Sequence, residues 1–393
     1  MKKIAFVDIG FHSKTKSSEF FVNLIKTRFS VDHIYLTEDY DLQISAINAK
    51  DYYAIVCWQT EFVAHYFLLK GKRVICIPMY DGVSNHPDWY WNSLNSCGFI
   101  CFSKTLHTKF NKLGLESIYI QYYKDTKKFS KSIAWDMPRF FFWQRRPNEG
   151  LDYKFALNII GLDNIINRKA SLHVHNAPDS ANFDEYIPPI RQISVSGYAL
   201  DDKEYFMNLS NSNIFICPRK TEGIGMAMVE ALCNGMVVIA DNKPTANEYI
   251  IDGYNGILID YDNPELINFD IDRFIKIGSN AKYESALGYE IWLKNSNRIL
   301  NFIERIHPPL QEKFDEKIIE KHLDIIKCFE SKNHKYLARL YNEIGMNPIF
   351  NNYDKLTFVQ IIKLFFSRYL VIRFAHKILK KLKTKLKYKL KNI

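Results

Sequence analysis

The sequence predicts an α/β fold in which two parallel-sheet domains face a cleft, followed by C-terminal helices. Short, almost continuously apolar runs alternate with helix-period segments, a pattern typical of parallel strands covered by helices on both faces. A polar stretch without clear periodicity, residues 124–138, divides this alternation into two series. The length of 393 residues also favours two domains over one.

Each series predicts a Rossmann-like domain. In residues 1–130, strands are expected at 3–9, 54–58, 73–79, 99–102 and 117–122, and helices at 17–29 and 61–69. In residues 131–306, strands are expected at 140–143, 172–174, 213–217, 237–240 and 256–259, and helices at 151–160 and 225–233. Helical segments at 279–306 and in an extension, 307–354, should pack outside or cross back to the first domain. Ligands of open parallel sheets bind beyond the carboxyl ends of the strands, so the cleft is the expected site.

The positive charge of the chain is concentrated at its end. The net charge is +10, from 53 basic and 43 acidic residues, and residues 355–393 hold 12 Lys or Arg without any Asp or Glu. The preceding chain is therefore nearly neutral, and it offers no extended basic surface for a nucleic acid. Seven cysteines without a Cys-x-x-Cys pair indicate buried free thiols in a reducing compartment. No apolar run is long enough to predict a transmembrane helix.

One loop has the composition of an anion site. It follows Cys217 and Pro218, and its residues are, in order, Arg219, Lys220, Thr221, Glu222, Gly223, Ile224 and Gly225. A strand ends where the loop begins, and the two glycines open the next helix. Glycine lets the backbone approach a ligand closely, and free amides at a helix start bind anions. Arg219 and Lys220 add positive charge, so the loop suits a diphosphate.

Two carboxylates of this motif are eight residues apart in the sequence. Glu222 lies in the loop, whereas Glu230 lies on the helix beside its apolar stripe. Helical side chains lean toward the N-terminus of their helix, so both carboxylates can reach one ligand. A carboxylate is a good acceptor for two vicinal hydroxyls, such as those of ribose. Alternatively, Glu222 is an ordinary surface acid that the helix dipole favours.

The stretch 217–259 resembles the retaining family-four ("group 1") glycosyltransferases, which have the two-Rossmann B-type fold. The resemblance rests on E-x7-E, here Glu222-GIGMAMV-Glu230, followed by an apolar strand and by EYIIDGYNG at 248–256. It implies that residues 131–306 bind a nucleotide sugar, without a metal or another cofactor. Glu230 would hold the ribose hydroxyls, and Glu222 would face the transferred sugar. The anomeric configuration would be retained, by front-face attack with a phosphate oxygen as the base.

The basic residues expected around the diphosphate match the family less closely. The family usually has a Gly-Arg pair after the first strand of this domain and a lysine a few residues on. Here the chain has Arg145 and Arg146 without the glycine, and then Lys154 at a longer spacing. Arg145 is carried over as a phosphate ligand, since a guanidinium matches phosphate bidentately. Lys154, Arg146 or Lys220 would take the place of the family lysine.

The first domain, 1–130, is implied to bind the acceptor. The family has a glycine-rich first loop and often a histidine in this domain. The loop here holds a single glycine, Gly10, followed by His12. The preferred histidine is His86, which follows a strand end together with Asp81, and both would lie where acceptor and donor sugar meet. An Asp-Gly turn without any chemical role is the alternative at Asp81.

Other functions have weaker support in the sequence. A nicotinamide oxidoreductase would need G-x-G-x-x-G after the first strand, which residues 9–16 lack. The D-x-D tripeptide of metal-dependent glycosyltransferases occurs at 39–41, 260–262 and 270–272, in no distinctive context. A nucleotide-sugar hydrolase or epimerase on the same fold stays open, as does a non-catalytic membrane-bound scaffold.

The tail, 355–393, predicts a basic amphipathic helix that docks on an anionic membrane. Its apolar residues recur at helical spacing, with lysines and arginines on the other faces. Each basic residue near an anionic leaflet contributes about 1 kcal/mol. A solvated tail is the alternative. We expect a protein on the cytoplasmic face of the inner membrane that uses a glycan or polyprenyl-diphosphate-linked acceptor, in assembly of a surface polysaccharide such as O-antigen, capsule or lipopolysaccharide.

Overall fold

Two parallel sheets form the centres of the structure. The computed structural model describes residues 1–37, 40–86, 88–129, 133–176, 189–197 and 203–309. Within them lie two six-stranded sheets in which every strand pair is parallel, so the predicted fold of two Rossmann-like domains is confirmed. The extension beyond 309 and the basic tail, 355–393, lie outside the described residues.

The first sheet has the strand order β2-β1-β3-β4-β5-β6. Its strands are β1 (Lys3–Ile9), β2 (Ser30–Leu36), β3 (Ala54–Trp58), β4 (Val74–Ile77), β5 (Gly98–Cys101) and β6 (Ser117–Tyr119). Its helices are α1 (His12–Thr15), α2 (Glu19–Lys26), α3 (Tyr40–Asn48), α4 (Ala64–Leu69), α5 (Tyr80–Val83), α6 (Asp88–Asn92) and α7 (Lys104–Lys112). The central strands are apolar throughout because both faces are covered.

The second sheet has the strand order β12-β11-β10-β7-β8-β9. Its strands are β7 (Arg139–Gln144), β8 (Ser171–Asn176), β9 (Ile193–Ser196), β10 (Ile214–Ile216), β11 (Val237–Asp241) and β12 (Ile257–Ile259). Its helices are α8 (Tyr153–Ile160), α9 (Leu162–Ile166), α10 (Lys203–Ser210), α11 (Met226–Asn234) and α12 (Ala246–Tyr249). The strand order reverses between β7 and β10, so the loops that follow these two strands face the crevice where doubly wound sheets bind ligands.

One long helix, α13 (Ile271–Arg305), joins the two domains. Its N-cap is Asp270, whose carboxylate accepts the amide of Arg273, and at 35 residues the helix spans about 50 Å. Phe274, near its start, packs in the core beneath the second sheet, whereas Ile303, near its end, packs in a core shared with β1 and β3. The helix therefore crosses back to the first domain.

Burial of the thiols follows the sequence prediction. Six cysteines are buried and free: Cys57, Cys76, Cys97, Cys101, Cys217 and Cys233. Cys328 lies outside the described residues. Among the helices that the structure describes, none combines the length and hydrophobicity needed to cross a bilayer.

Candidate active site

The predicted anion loop lies between β10 and α11, at the strand-order reversal. Its end needs glycine, because Gly225 has a φ of +74° directly before the first residue of α11, Met226. Gly223 is required for a different reason. A Cβ at Gly223 would lie 2.8 Å from Cβ of Met79 and 3.0 Å from Oδ1 of Asp81, both in the first domain. The loop thus meets the other side of the cleft at Gly223.

Glu222 lies half-buried within this loop and among charges of both signs. Its amide donates to the carbonyl oxygen of Pro244 at 3.2 Å. Burial raises the pKa of its carboxyl group, an effect opposed by Arg219, reinforced by Asp81 and opposed again by Arg145 and Arg146. The structure therefore places four charged residues that were predicted from the sequence within electrostatic range of Glu222: Arg219, Arg145, Arg146 and Asp81.

An ion pair joins the two domains across the cleft. Arg219, in the anion loop, donates to the carboxylate of Asp81, on α5. Two sequence-predicted residues thus meet directly. The His86 ring packs edge-on against Tyr90 at 4.6 Å between ring centres, inside the first domain, and the carbonyl oxygen of His86 accepts from Lys109 at 2.8 Å.

Glu230 lies on α11 with 8% of its surface exposed. Its carboxylate accepts from the ammonium of Lys124 and, at 3.3 Å, from the hydroxyl of Tyr205. The centre of the Tyr205 ring lies 5.5 Å from the ring centres of both Trp143 and His175, so a wall of three packed aromatic rings lies next to the carboxylate. Sequence reasoning missed Lys124, Tyr205 and this wall.

The remaining predicted basic residues are distributed around the loop. Arg145 and Arg146 directly follow β7, and the guanidinium of Arg145 lies 4.9 Å from the centre of the Trp143 ring. Lys154 lies on α8, with its ammonium 6.0 Å from the Tyr153 ring. Lys220 forms an ion pair with Asp262, the last member of one D-x-D tripeptide. The two arginines therefore lie at the strand-order reversal, whereas the ammonium of Lys220 is paired with a carboxylate in the loop that follows β12.

A buried carboxylate lies near the end of β1, on the first-domain side of the cleft. Asp8 is fully buried, and it accepts hydrogen bonds from Nδ1 of His12 at 2.6 Å, the hydroxyl of Ser18 at 2.5 Å and Nε2 of His33 at 3.2 Å. Burial acts to raise the pKa of Asp8, but the hydrogen bonds from these three residues outweigh it and lower the pKa. An acid at the end of an otherwise apolar strand was the available sequence signal.

Comparison with known proteins agrees with this architecture. Residues 190–290 match the family model described as glycosyl transferases group 1. An uncharacterized glycosyltransferase of Methanocaldococcus jannaschii is 31% identical over 94 residues, which cover 22% of this chain and 24% of the relative. The chain thus aligns with only about a quarter of that relative's length.

Two solved structures share the fold over most of the chain. Sucrose-phosphate synthase from Thermosynechococcus elongatus has a TM-score of 0.57 at 11% identity, covering 78% of this chain and 99% of that protein. HepE from Anabaena, in complex with UDP, has a TM-score of 0.53 at 13% identity, covering 77% of this chain and 100% of that protein. The chain therefore has the B-type glycosyltransferase fold, and residues 190–290 carry the sequence pattern of the group 1 glycosyl transferases.

Proposed function

We propose that this protein is a glycosyltransferase that moves a sugar from a nucleoside-diphosphate sugar to a glycan or lipid-linked acceptor. The observation that carries the proposal is the convergence of Glu222, Arg219, Arg145 and Arg146 at the strand-order reversal of the second sheet. Guanidinium groups neutralise a leaving diphosphate, and the crevice at this point of a doubly wound sheet is where nucleotides bind. The family match over 190–290 supports the same chemistry.

The donor would lie along the carboxyl ends of β7 and β10. Its diphosphate would lie against the amides of Gly223, Ile224 and Gly225 and the arginine side chains. Its ribose would replace Lys124 as the partner of Glu230, whose two oxygens suit vicinal hydroxyls. HepE, which shares the fold, was solved with UDP and with UDP-glucose, which supports a nucleoside diphosphate as the ligand class.

We propose a transfer that retains the anomeric configuration. The acceptor oxygen forms a bond to the anomeric carbon while the bond from that carbon to the diphosphate oxygen breaks. The acceptor's hydroxyl proton passes to a phosphate oxygen of the leaving nucleotide, so the step needs no further reactant. Glu222 would stabilise the positive charge that develops on the sugar ring. Asp81 and His86 would contact the acceptor or the sugar from the first domain.

The biological setting is part of the same proposal. The basic tail would hold the enzyme on an anionic membrane surface, where a polyprenyl-diphosphate-linked acceptor of surface polysaccharide assembly resides. The tail lies outside the described residues, so its sequence alone supports this docking.

The first experiment is a thermal-shift panel of UDP, GDP, ADP, CMP and NAD⁺ on the full-length protein. Ligand binding to the native state raises the melting temperature by mass action, so one nucleoside diphosphate should give a clear shift. Glu230→Ala should abolish most of that shift, whereas the exposed Glu265→Ala should leave it unchanged. A shift with NAD⁺ alone, or an equal shift for Glu230→Ala, would contradict the proposal.

The second experiment is an activity assay with the nucleotide sugar that the panel identifies. Glu222→Ala should lower nucleotide release by about a hundredfold or more, because it removes a group that acts on the developing charge. The folded state should persist, as judged by circular dichroism. Product stereochemistry by proton NMR tests retention, and release of free sugar regardless of acceptor would favour a nucleotide-sugar hydrolase.

A further inference from the structure

Helix α7, in the first domain, is capped by a carboxylate from the second domain. The carboxylate of Glu248, on α12, accepts the amide of Lys104 at 2.5 Å, the amide of Thr105 at 2.9 Å and the hydroxyl of Ser103 at 3.0 Å. The first amides of a helix lack partners within the helix, and its dipole favours a negative charge there. The N-cap residue Ser103 accepts the amide of Leu106 at 3.3 Å, and one side chain of the second domain thus completes the cap of a first-domain helix.

Helix α12 is bonded to the first domain at further points. The side-chain amide of Gln121 donates to the carbonyl oxygen of Glu248 at 2.7 Å. The hydroxyl of Tyr249 accepts the amide of Tyr122 at 3.2 Å and lies 3.3 Å from the carbonyl oxygen of the same residue. Tyr249 is buried. Contacts from both α7 and the segment after β6 therefore hold α12 in one position.

The two residues that directly precede α12 are hydrogen-bonded to the loop that carries Glu222. The amide of Glu222 donates to the carbonyl oxygen of Pro244 at 3.2 Å, and the hydroxyl of Thr245 donates to the carbonyl oxygen of Glu222 at 3.3 Å. Thr245 is fully buried and directly precedes α12. A displacement of α12 away from α7 would therefore act on the main chain of Glu222 through both its amide and its carbonyl group.

We propose that Glu248 is a positioning residue that couples the seating of α12 on α7 to the placement of Glu222. The coupling has three steps. The Glu248 carboxylate binds the start of α7, and α12, which carries Glu248, directly follows Thr245. Thr245 and Pro244 are in turn hydrogen-bonded to the main chain of Glu222. When the two domains meet, the Glu248 cap forms and the Glu222 loop is fixed. When they part, both are released together. The role assigned to Glu222 rests on the proposed function, whereas the mechanical coupling does not.

Hydrogen exchange of the full-length protein, without any ligand, tests the coupling. Glu248→Ala removes three hydrogen bonds to a charged acceptor, so the amides of Lys104 and Thr105 should exchange roughly ten- to hundredfold faster. The coupling predicts faster exchange at the Glu222 amide as well. The strands β8 and β11 should keep their wild-type protection, which excludes general unfolding.

Two further variants keep the test decisive. Glu248→Gln retains the length of the side chain but removes its charge, so it should produce the same pattern with a smaller increase, even where Glu248→Ala folds poorly. Ser103→Ala removes one donor to Glu248 and the acceptor of the Leu106 amide, but it keeps both amide hydrogen bonds to Glu248, so it should leave the Glu222 amide at its wild-type rate. Faster exchange at Lys104 and Thr105 with an unchanged rate at Glu222 would overturn the coupling, as would unchanged rates at all three.

Kinetics separate this inference from the proposed function. With the donor that the nucleotide panel identifies, Glu248→Ala should lower kcat by roughly a hundredfold through misplacement of Glu222, with KM for the donor within about twofold of wild type. A raised KM with wild-type kcat would contradict a positioning role. Failure of every nucleotide to bind would reject the proposed function, and hydrogen exchange would still decide on the coupling.

Discussion

Replacement of Gly223 by alanine should force the two sides of the cleft apart. The new Cβ would lie 2.8 Å from Cβ of Met79 and 3.0 Å from both Sδ of Met79 and Oδ1 of Asp81. A contact with Cβ of Met79 involves the stiff base of that side chain, so rotation of its end gives no relief. Overpacking of this kind costs about 1–3 kcal/mol. That cost corresponds to a shift of roughly 5- to 150-fold in the ratio of molecules whose two domains are in contact to molecules whose domains have parted.

Small-angle scattering and urea unfolding measure the effect of Gly223→Ala on the ligand-free protein. The radius of gyration should rise as the open population grows, and the urea midpoint should fall because contacts such as Arg219 with Asp81 are lost. Gly82→Ala is a matched control on α5, since a Cβ there meets no atom within 4 Å. It should match or slightly exceed wild-type stability. Wild-type scattering and a wild-type midpoint for Gly223→Ala would refute the reasoning.

Three other perturbations have defined outcomes. Burial raises the pKa of Glu61 to about 7, so ionisation of this carboxyl group opposes folding at any pH above its pKa in the unfolded chain. In urea titrations, Glu61→Gln should therefore unfold like wild type near pH 4 but be more stable than wild type at pH 8, by roughly 2–3 kcal/mol. Because the pKa of Asp8 is lowered in the folded protein, its carboxylate stabilises the fold above its pKa in the unfolded chain, and this stabilisation is lost on acidification. Asp8→Asn should therefore lower the free energy of unfolding by about 3–5 kcal/mol at pH 7, and an unchanged urea midpoint would contradict this. Deletion of 355–393, or high salt, should release the protein from anionic liposomes in a sedimentation assay, and persistent binding would reject docking by the tail.

The central strands could be predicted from the sequence because both of their faces are buried. Strands β1 and β3 have the predicted bounds, since each is an apolar run apart from Lys3 at the start of β1 and Asp8 near its end. Strands β2 and β9 were missed. Both lie at sheet edges, and their sequences, SVDHIYL and ISVS, mix polar and apolar residues because most of their positions are only partly covered.

Residue pattern alone could predict the candidate site only where its residues are contiguous, whereas Asp81, Arg145 and Arg146 were predicted through the family resemblance. The loop with Glu222, Gly223 and Gly225 lies within one strand–loop–helix unit, so its pattern is visible in the sequence. Lys124, by contrast, meets Glu230 from 106 positions away, and folding alone brings them together. Glu248 was visible as part of a motif, but its partner, the start of α7, lies more than 140 positions earlier in the chain.

The crossing of α13 also makes the first domain dependent on residues far from it in the chain. The first domain contacts the end of this helix at two points. Lys2 pairs with Glu304 at 3.3 Å, and the Tyr53 hydroxyl donates to the carbonyl oxygen of Glu304 at 3.1 Å. Ile306 fills the space above Gly98 in the same core. During synthesis, the first sheet therefore emerges from the ribosome long before its covering helix does. Residues 1–130 expressed alone would expose that apolar face to water, so a soluble fragment should be designed to include α13.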